Sequence, residues 1–274
     1  MKKTIFVALT SIILTVLATF IVLEIQAQKD QLRGDFIEEI DSKILNESRK
    51  LLIHLPKGYT ENTKKSYPIV FALDGTSHDQ IIANAAYTLN YAKIYPDIIV
   101  VGIPNTNRKR DLTPSYITQE KESNVMGKGN RFLSFLEQEA IPFLAKKYRL
   151  NGYRMLSGNS RGGLFVMYAL MEKSALFNAY FCFSPAFWRN DNRIVEKMKE
   201  RLQNKEGLNA FLYLSLGTEE NVKMKKGFEE MVSLLEGTPR EELKFTASYT
   251  EGATHATNAY YATPEALMLW KKQR

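Results

Sequence analysis

The chain has 274 residues, of which 45% are apolar and 24% are charged, a balance typical of an ordinary globular protein. Its single cysteine, Cys182, excludes an intramolecular disulfide. The formal net charge is +7, but the lysines and arginines are scattered, and no basic block with interleaved aromatics predicts a nucleic-acid partner. We therefore expect a solvated basic surface, or one that attracts anionic substrates or an anionic envelope.

The first 27 residues have the layout of a segment that directs export. Lys2 and Lys3 precede an uncharged apolar run over residues 5–23, and the small residue Ala27 follows. This pattern predicts a signal peptide over residues 1–27, cleaved after Ala27. The apolar run is also long enough to cross a bilayer, so an uncleaved N-terminal membrane anchor is the alternative. In both cases residues 28–274 form one domain outside the cytoplasm, periplasmic or secreted, because the lysines favour the cytoplasmic side.

After residue 34, apolar runs of strand length alternate with helix-like stretches. The predicted strands cover residues 50–55, 67–73, 98–103, 154–157, 179–184, 210–216 and 244–250. The predicted helices cover residues 132–148, 162–172, 224–235 and 264–272, the last starting at Pro264. Continuous apolar strands indicate burial on both faces, so the alternation predicts an α/β fold with a mainly parallel central sheet flanked by helices. Residues 111–130 lack periodicity and predict a long loop over the carboxyl edge of the sheet, suited to capping a substrate.

The strongest motif is Gly158-Asn159-Ser160-Arg161-Gly162, a G-x-S-x-G. A predicted strand leads into it and a predicted helix leads out, which is the setting that a nucleophile elbow requires. The turn would raise the Ser160 hydroxyl above the sheet and place the Arg161 N–H at a helix N-terminus, where it can hold an oxyanion. The alternative interpretation is a glycine-rich turn without chemistry.

A serine nucleophile needs a base, and the chain offers three histidines. His255 follows the last predicted strand and comes after Ser160, as the chain order of this type of site requires. His54 lies within an early strand, and we interpret it as structural. His78 follows a strand end, so it either contacts substrate or orders its loop. The sequence therefore favours His255 as the general base.

The acid that orients the base is expected after the strand over residues 210–216, where Glu219 and Glu220 lie. We favour Glu220 and keep Glu219 as the alternative, although both could be first-turn glutamates of the next helix. The second oxyanion donor is expected in the turn after the strand over residues 67–73. We assign it to the Thr76 N–H, and interpret Asp74 as a residue that orders this turn.

An ordered set of segments resembles one known family. They are residues 49–59, Leu73-Asp74-Gly75, residues 110–114, residues 157–163, Ser184-Pro185 with Trp188, and residues 251–255. The set spans nearly all of the chain after Gly34 and is similar to the putative-esterase family, nearest to its siderophore-esterase branch. That family also includes S-formylglutathione hydrolases, feruloyl esterases and mycolyltransferases. Asn159 departs from the histidine or tyrosine common at its position.

The resemblance implies an α/β-hydrolase fold with Ser160, Glu220 and His255 as the catalytic triad and the Thr76 and Arg161 N–H groups as the oxyanion hole. The expected reaction is hydrolysis of a carboxylic ester through an acyl-enzyme. Acyl transfer to a sugar or lipid is an alternative that uses the same intermediate. A catalytically silent binding protein on the same fold is a second alternative.

The sequence says less about the substrate. We expect a small-molecule ester, with no metal or organic cofactor, since no phosphate loop, dinucleotide fingerprint or histidine cluster is present. Arg108 and Arg110 follow the third strand and could contact an anionic ester such as a catecholate siderophore, or remain solvated or ion-paired. His78 and Trp188 complete the candidate substrate contacts. A membrane partner is expected only through the N-terminal segment, and the oligomeric state is open.

Overall fold

The structure is a computed structural model, and it describes residues 34–118, 127–204 and 207–273. The predicted signal or anchor over residues 1–27 lies outside the described residues. The described residues contain an eight-stranded sheet in the order β1-β2-β4-β3-β5-β6-β7-β8. The strands are β1 (Phe36–Ser42), β2 (Glu47–His54), β3 (Tyr67–Leu73), β4 (Ile99–Ile103), β5 (Leu150–Asn159), β6 (Ala179–Phe183), β7 (Ala210–Gly217) and β8 (Leu243–Thr250).

Pairing within the sheet is antiparallel for β1–β2 and β2–β4, and parallel from β4 through β8. Parallel strands all end at one edge, so the residues that follow β3, β5 and β7 are brought to the same side of the molecule. The central strands β3, β4 and β6 are buried at every position. This burial explains why their sequences are continuously apolar rather than alternating.

Helices cover both faces of the sheet and form two apolar cores with it. They are α1 (His78–Tyr91), α2 (Arg108–Asp111), α3 (Gly129–Phe135), α4 (Ile141–Lys147), α5 (Arg161–Glu172), α6 (Arg189–Gln203), α7 (Val222–Gly237) and α8 (Asn258–Gln273). A π-helical turn, Leu136–Ala140, joins α3 to α4. α5 is buried through Met171, as expected of a central helix. Among the described residues, no helix is long and apolar enough to cross a membrane.

The structure corrects the predicted elements in several places. β1, α1 and α6 are absent from the predicted set, and α3 begins at Gly129, inside the predicted loop over residues 111–130. α8 begins at Asn258, so Pro264 lies inside the helix and does not start it. Thr263 beside it donates its hydroxyl to the Ala259 carbonyl. The central part of the predicted loop, residues 119–126, lies outside the described residues.

Candidate active site

Ser160 occupies a sharp turn between β5 and α5, with φ 57° and ψ −115°. A non-glycine residue with positive φ is strained, at a cost of about 1–3 kcal/mol, and persists only where its surroundings hold it. The Ser160 N–H donates to the Phe183 carbonyl at 2.9 Å, and the Ser160 carbonyl accepts from the N–H groups of Leu164 and Ala186. A Cβ on Gly158 would lie 2.5 Å from the Gly162 carbonyl carbon. The G-x-S-x-G spacing therefore permits this turn.

Glu220 and His255 meet beyond the carboxyl ends of β7 and β8. His255 Nδ1 lies 2.9 Å from Glu220 Oε2, with the Glu220 side chain fully buried and that of His255 45% exposed. A carboxylate at Nδ1 fixes the tautomer in which Nε2 can accept a proton. Glu219 is exposed, and its N–H donates to the Ala253 carbonyl. Of the two predicted acids, the structure brings Glu220 to the histidine.

Asn258 anchors the segment that carries His255, and sequence reasoning missed it. Its side chain is fully buried and donates from Nδ2 to the hydroxyls of Ser184 and Ser215, each at 3.0 Å. These serines follow β6 and lie in β7, so the start of α8 is tied to two neighbouring strands. The only local signal in the sequence is an asparagine three positions after the histidine, which is too weak to single out.

The two predicted oxyanion donors have different surroundings. Arg161 is the first residue of α5, so its N–H lies at a helix N-terminus next to Ser160. Its side chain donates to the Thr113 hydroxyl at 2.6 Å, which ties the turn to the segment after α2. The Thr76 N–H donates to Asp79 Oδ1 at 2.9 Å. That bond must be exchanged before Thr76 could hold an oxyanion.

Arg108 lies next to the elbow and is held by protein groups. It makes a bidentate ion pair with Asp74, and its Nη2 donates to the Asn159 carbonyl at 3.2 Å. Asp74 also accepts from the Asn105 amide at 2.7 Å. Asp74 and Arg108 help to line a cleft of about 400 Å³ that also reaches Asn159 and Tyr260. The Arg108 side chain stays 36% exposed, so it can meet a ligand in this cleft.

His78 is 2% exposed and packs beneath the site. Its Nε2 lies 2.8 Å from the Ser157 hydroxyl, and its ring meets Phe183 edge-on. Burial lowers the pKa of His78 to about 4, although the negative charges of Asp74 and Asp79 oppose the shift. A neutral, enclosed ring orders its surroundings, so this geometry matches the loop-ordering alternative more closely than substrate contact.

Arg110 points into a charged cluster away from the elbow. It pairs with Glu47 and Asp111, and the buried Arg49 bonds the same two carboxylates. Hydrogen bonding from Arg110, more than from Thr106 and Arg49, lowers the pKa of Glu47 to about 2. The structure thus gives Arg110 protein partners and does not bring it to the cleft beside Ser160.

Trp188 follows β6 at the N-cap position of α6, where it is half-buried. The Arg189 guanidinium lies over its ring, with Cζ 4.7 Å from the centroid. Burial lowers the pKa of Arg189, and the positive charge of Arg108 lowers it further, which means that the two cations share one neighbourhood. Sequence reasoning missed Arg189, although its position after the Ser184-Pro185 turn and Trp188 was a usable signal.

The described residues contain no group of three or more histidine, cysteine or acidic side chains arranged to hold a metal. Cys182 is buried in β6, and burial raises the pKa of its thiol well above the usual range. A protonated, enclosed thiol is unreactive.

Known proteins are similar to this chain over part of its sequence. The chain is 29% identical over 152 residues to the siderophore enterobactin esterase of Emericella nidulans, covering 48% of this chain and 50% of that protein. It is 26% identical over 170 residues to the ferri-bacillibactin esterase BesA of Bacillus subtilis, covering 56% and 59%. The matches thus span about half to three fifths of these relatives.

A solved structure extends the similarity to the fold. The IroE-like serine hydrolase from Shewanella oneidensis superposes with a TM-score of 0.81 at 26% identity, covering 86% of this chain and 80% of that one. The BES protein from Bacillus cereus has the same fold, with a TM-score of 0.75 at 24% identity. The profile of the family described as "Putative esterase" matches residues 42–273. The predicted fold is confirmed, and the chain belongs to this esterase family, with an α/β-hydrolase fold.

Proposed function

We propose that this protein is an exported serine hydrolase that cleaves carboxylic esters through an acyl-enzyme on Ser160. The observation that carries the proposal is the pairing of a buried carboxylate, Glu220, with Nδ1 of an exposed histidine that follows the last strand. This pairing gives His255 an outward-facing nitrogen that can accept a proton. Ser160 stands on the strained turn that this chemistry uses. Export rests on the sequence pattern of residues 1–27.

In the proposed mechanism, Ser160 Oγ attacks the ester carbonyl while His255 Nε2 takes its proton. Glu220 stabilises the imidazolium that forms, and the N–H groups of Arg161 and Thr76 hold the oxyanion. The imidazolium then protonates the leaving alcohol, and water activated by His255 releases the acid and restores the Ser160 hydroxyl. Among the described residues, Ser160 Oγ has no hydrogen bond to His255, and such bonds often tighten only when substrate is bound.

Hydrolysis fits the site better than acyl transfer or silent binding. Among the described residues, the His255 side chain is 45% exposed, so water can reach the base that would activate it. A silent protein would have no need for a carboxylate buried against that histidine, because burying a charge is costly. Acyl transfer to a sugar or lipid would favour an enclosed pocket for the acceptor alcohol. The histidine–carboxylate pair and the strained serine turn serve hydrolysis without such a pocket.

For the substrate class we propose an anionic or aryl ester such as a siderophore ester. One similar protein is by its name a siderophore enterobactin esterase, and another is a ferri-bacillibactin esterase. In this chain, Arg189 stacks on Trp188 close to Arg108, which gives a positive charge beside an aromatic surface. A catecholate ester presents an aromatic ring and negative charge together. The chain-wide charge of +7 would favour its approach.

The first test is intact-mass spectrometry after exposure to a fluorophosphonate, with Ser160→Ala in parallel. One adduct on the wild type and none on the variant is expected, since an activated serine hydroxyl displaces fluoride from phosphorus. Turnover of a p-nitrophenyl ester should fall by roughly 10⁴-fold in Ser160→Ala. Undiminished turnover in a folded variant would refute Ser160 as the nucleophile. A catecholate trilactone and an uncharged alkyl ester then test the substrate class.

A further inference from the structure

The turn after β3 directs the Thr76 N–H away from Ser160. Its acceptor, Asp79 Oδ1, belongs to a side chain that packs against β4, since a Cβ on Gly102 would lie 2.4 Å from Asp79 Oδ2. In the sheet, β4 lies on one side of β3, and β5 with Ser160 lies on the other. One N–H carries one proton, so it cannot bond both the carboxylate and an oxyanion at full strength.

Asp79 is built to hold this bond. Its side chain is fully buried in the first turn of α1, and His54 Nε2 of β2 lies 2.8 Å from its second oxygen. Only glycine at position 102 leaves room for the carboxylate. A buried carboxylate needs partners for both oxygens, and the Thr76 N–H and His54 supply one each. His54 is 16% exposed and lies away from the cleft beside Ser160.

The backbone at Thr76 is strained in this state, because its φ is +100°. A β-branched residue rarely adopts positive φ, so the conformation persists only while a contact holds it. The bond to Asp79 is one such contact, beside a hydrogen bond from the Gln80 amide to the Thr76 carbonyl at 3.3 Å and one from the Gly75 N–H to the Ile103 carbonyl at 3.0 Å. If the N–H leaves Asp79, the strained turn loses one of these contacts.

We propose that Asp79 and His54 are positioning residues that control the oxyanion hole, an inference that rests on the proposed function. In the free protein, Asp79 holds the Thr76 N–H away from Ser160. When an oxyanion forms, the N–H turns from Asp79 to it. His54 sets the strength of the hold, because a donor at the second oxygen draws negative charge from the oxygen that Thr76 uses.

The two residues should act in opposite directions. In Asp79→Asn the amide oxygen can still accept from Thr76 and the amide nitrogen can face His54, but the acceptor loses its charge. Neutral hydrogen bonds are about half as strong as charge-assisted ones, so the hold weakens and fluorophosphonate should label Ser160 about fivefold faster. In His54→Phe the carboxylate keeps Thr76 as its main partner, and labelling should slow by a similar factor. The double variant should behave like Asp79→Asn.

The experiment compares second-order labelling rates by intact mass for the wild type, Asp79→Asn, His54→Phe and the double variant. His54→Gln keeps a donor for Asp79 and should react like the wild type, as should Asp41→Asn, an exposed acid on β1. Thermal unfolding identifies any variant that is not folded. Hydrogen exchange at the Thr76 amide provides a readout without catalysis, with faster exchange expected in Asp79→Asn and slower exchange in His54→Phe.

Slower or unchanged labelling in folded Asp79→Asn would overturn the proposal, because it would mean that the carboxylate supports the reaction or has no effect on it. Equal effects of His54→Phe and His54→Gln would overturn the part assigned to His54. If neither the wild type nor any variant is labelled, the proposed function fails instead. The exchange rates at Thr76 then decide separately whether Asp79 and His54 control this N–H.

Discussion

On the β7–β8 side of Ser160, the described structure holds one histidine–carboxylate pair, with the acid buried and the ring 45% exposed. On the β2–β4 side, three charged or titratable groups are paired within the protein, with Arg108 still 36% exposed. His54 meets Asp79, His78 meets Ser157, and Arg108 meets Asp74. The two sides use the same residue types but leave different atoms accessible.

Chemistry requires an ionisable group with at least one atom that a ligand can reach. A group whose hydrogen bonds all end within the protein stabilises one arrangement, whereas a group with one atom fixed and another exposed can exchange a proton with a ligand. His255 is fixed at Nδ1 and reaches solvent with the rest of its ring. His78 is enclosed, and burial holds its pKa near 4, so it stays neutral at physiological pH.

Separating His255 from its buried carboxylate should lower activity most. Glu220→Gln should lower ester turnover by up to about 10⁴-fold, because an amide can favour the tautomer of His255 that carries its proton on Nε2. Steady-state kinetics should show the loss mainly in kcat, since the glutamate does not touch substrate. Glu219→Gln is the matched control, one residue away and exposed, and should keep wild-type turnover. A larger loss in Glu219→Gln would reverse the assignment.

Sequence patterns predicted the central sheet well because burial on both faces leaves a clear record. Strand β3 was predicted with its observed bounds, and β7 within one residue. β1 was missed because it lies at the sheet edge and carries three acidic residues, so no apolar run marks it. α1 was missed because its buried face consists largely of small or polar residues, including Ala86, His78 and Asp79.

In the site, the sequence located loops but not side-chain directions. Adjacent residues after β7 differ completely, with Glu219 exposed and Glu220 buried, and the chain around them packs so closely that a Cβ on Gly217 would lie 2.1 Å from the Ala253 carbonyl oxygen. The position of Thr76 after β3 was predictable, whereas the acceptor of its N–H was not. Asp79 acquires its surroundings from β2 and β4, which are distant in sequence, so no local pattern encodes them.

The burial of His78 should make the stability of the protein depend on pH. His78 has a folded-state pKa of about 4 against an ordinary value of 6.5, so below pH 6.5 the unfolded chain binds a proton that the folded protein does not. Its contribution to stability is therefore present above that pH and is lost as the pH falls towards 4. Between pH 7 and pH 5 the loss should be about 2 kcal/mol.

Denaturant unfolding of the wild type and His78→Gln at the two pH values measures this contribution. The variant lacks the titrating ring, so its stability should fall by about 2 kcal/mol less than that of the wild type over the same interval. The other two histidines are present in both proteins and cancel in the difference. Identical pH dependence in the two proteins would mean that His78 is accessible to solvent and belongs with His255 rather than with the enclosed groups.

Arg110 is a substrate contact in the sequence-based prediction, but in the structure its partners are Glu47 and Asp111. Arg110→Met removes charged hydrogen bonds to Glu47 and Asp111, so the free energy of unfolding should fall by about 1.5 kcal/mol. Because the guanidinium points into that cluster, kcat/KM of the folded variant should match the wild type for anionic and neutral esters alike. Arg193→Met, which removes an exposed helical ion pair with Glu196, controls for the loss of one positive charge. If Arg110→Met alone selectively loses activity towards the anionic ester, Arg110 contacts the substrate and is not only a partner of the two acids.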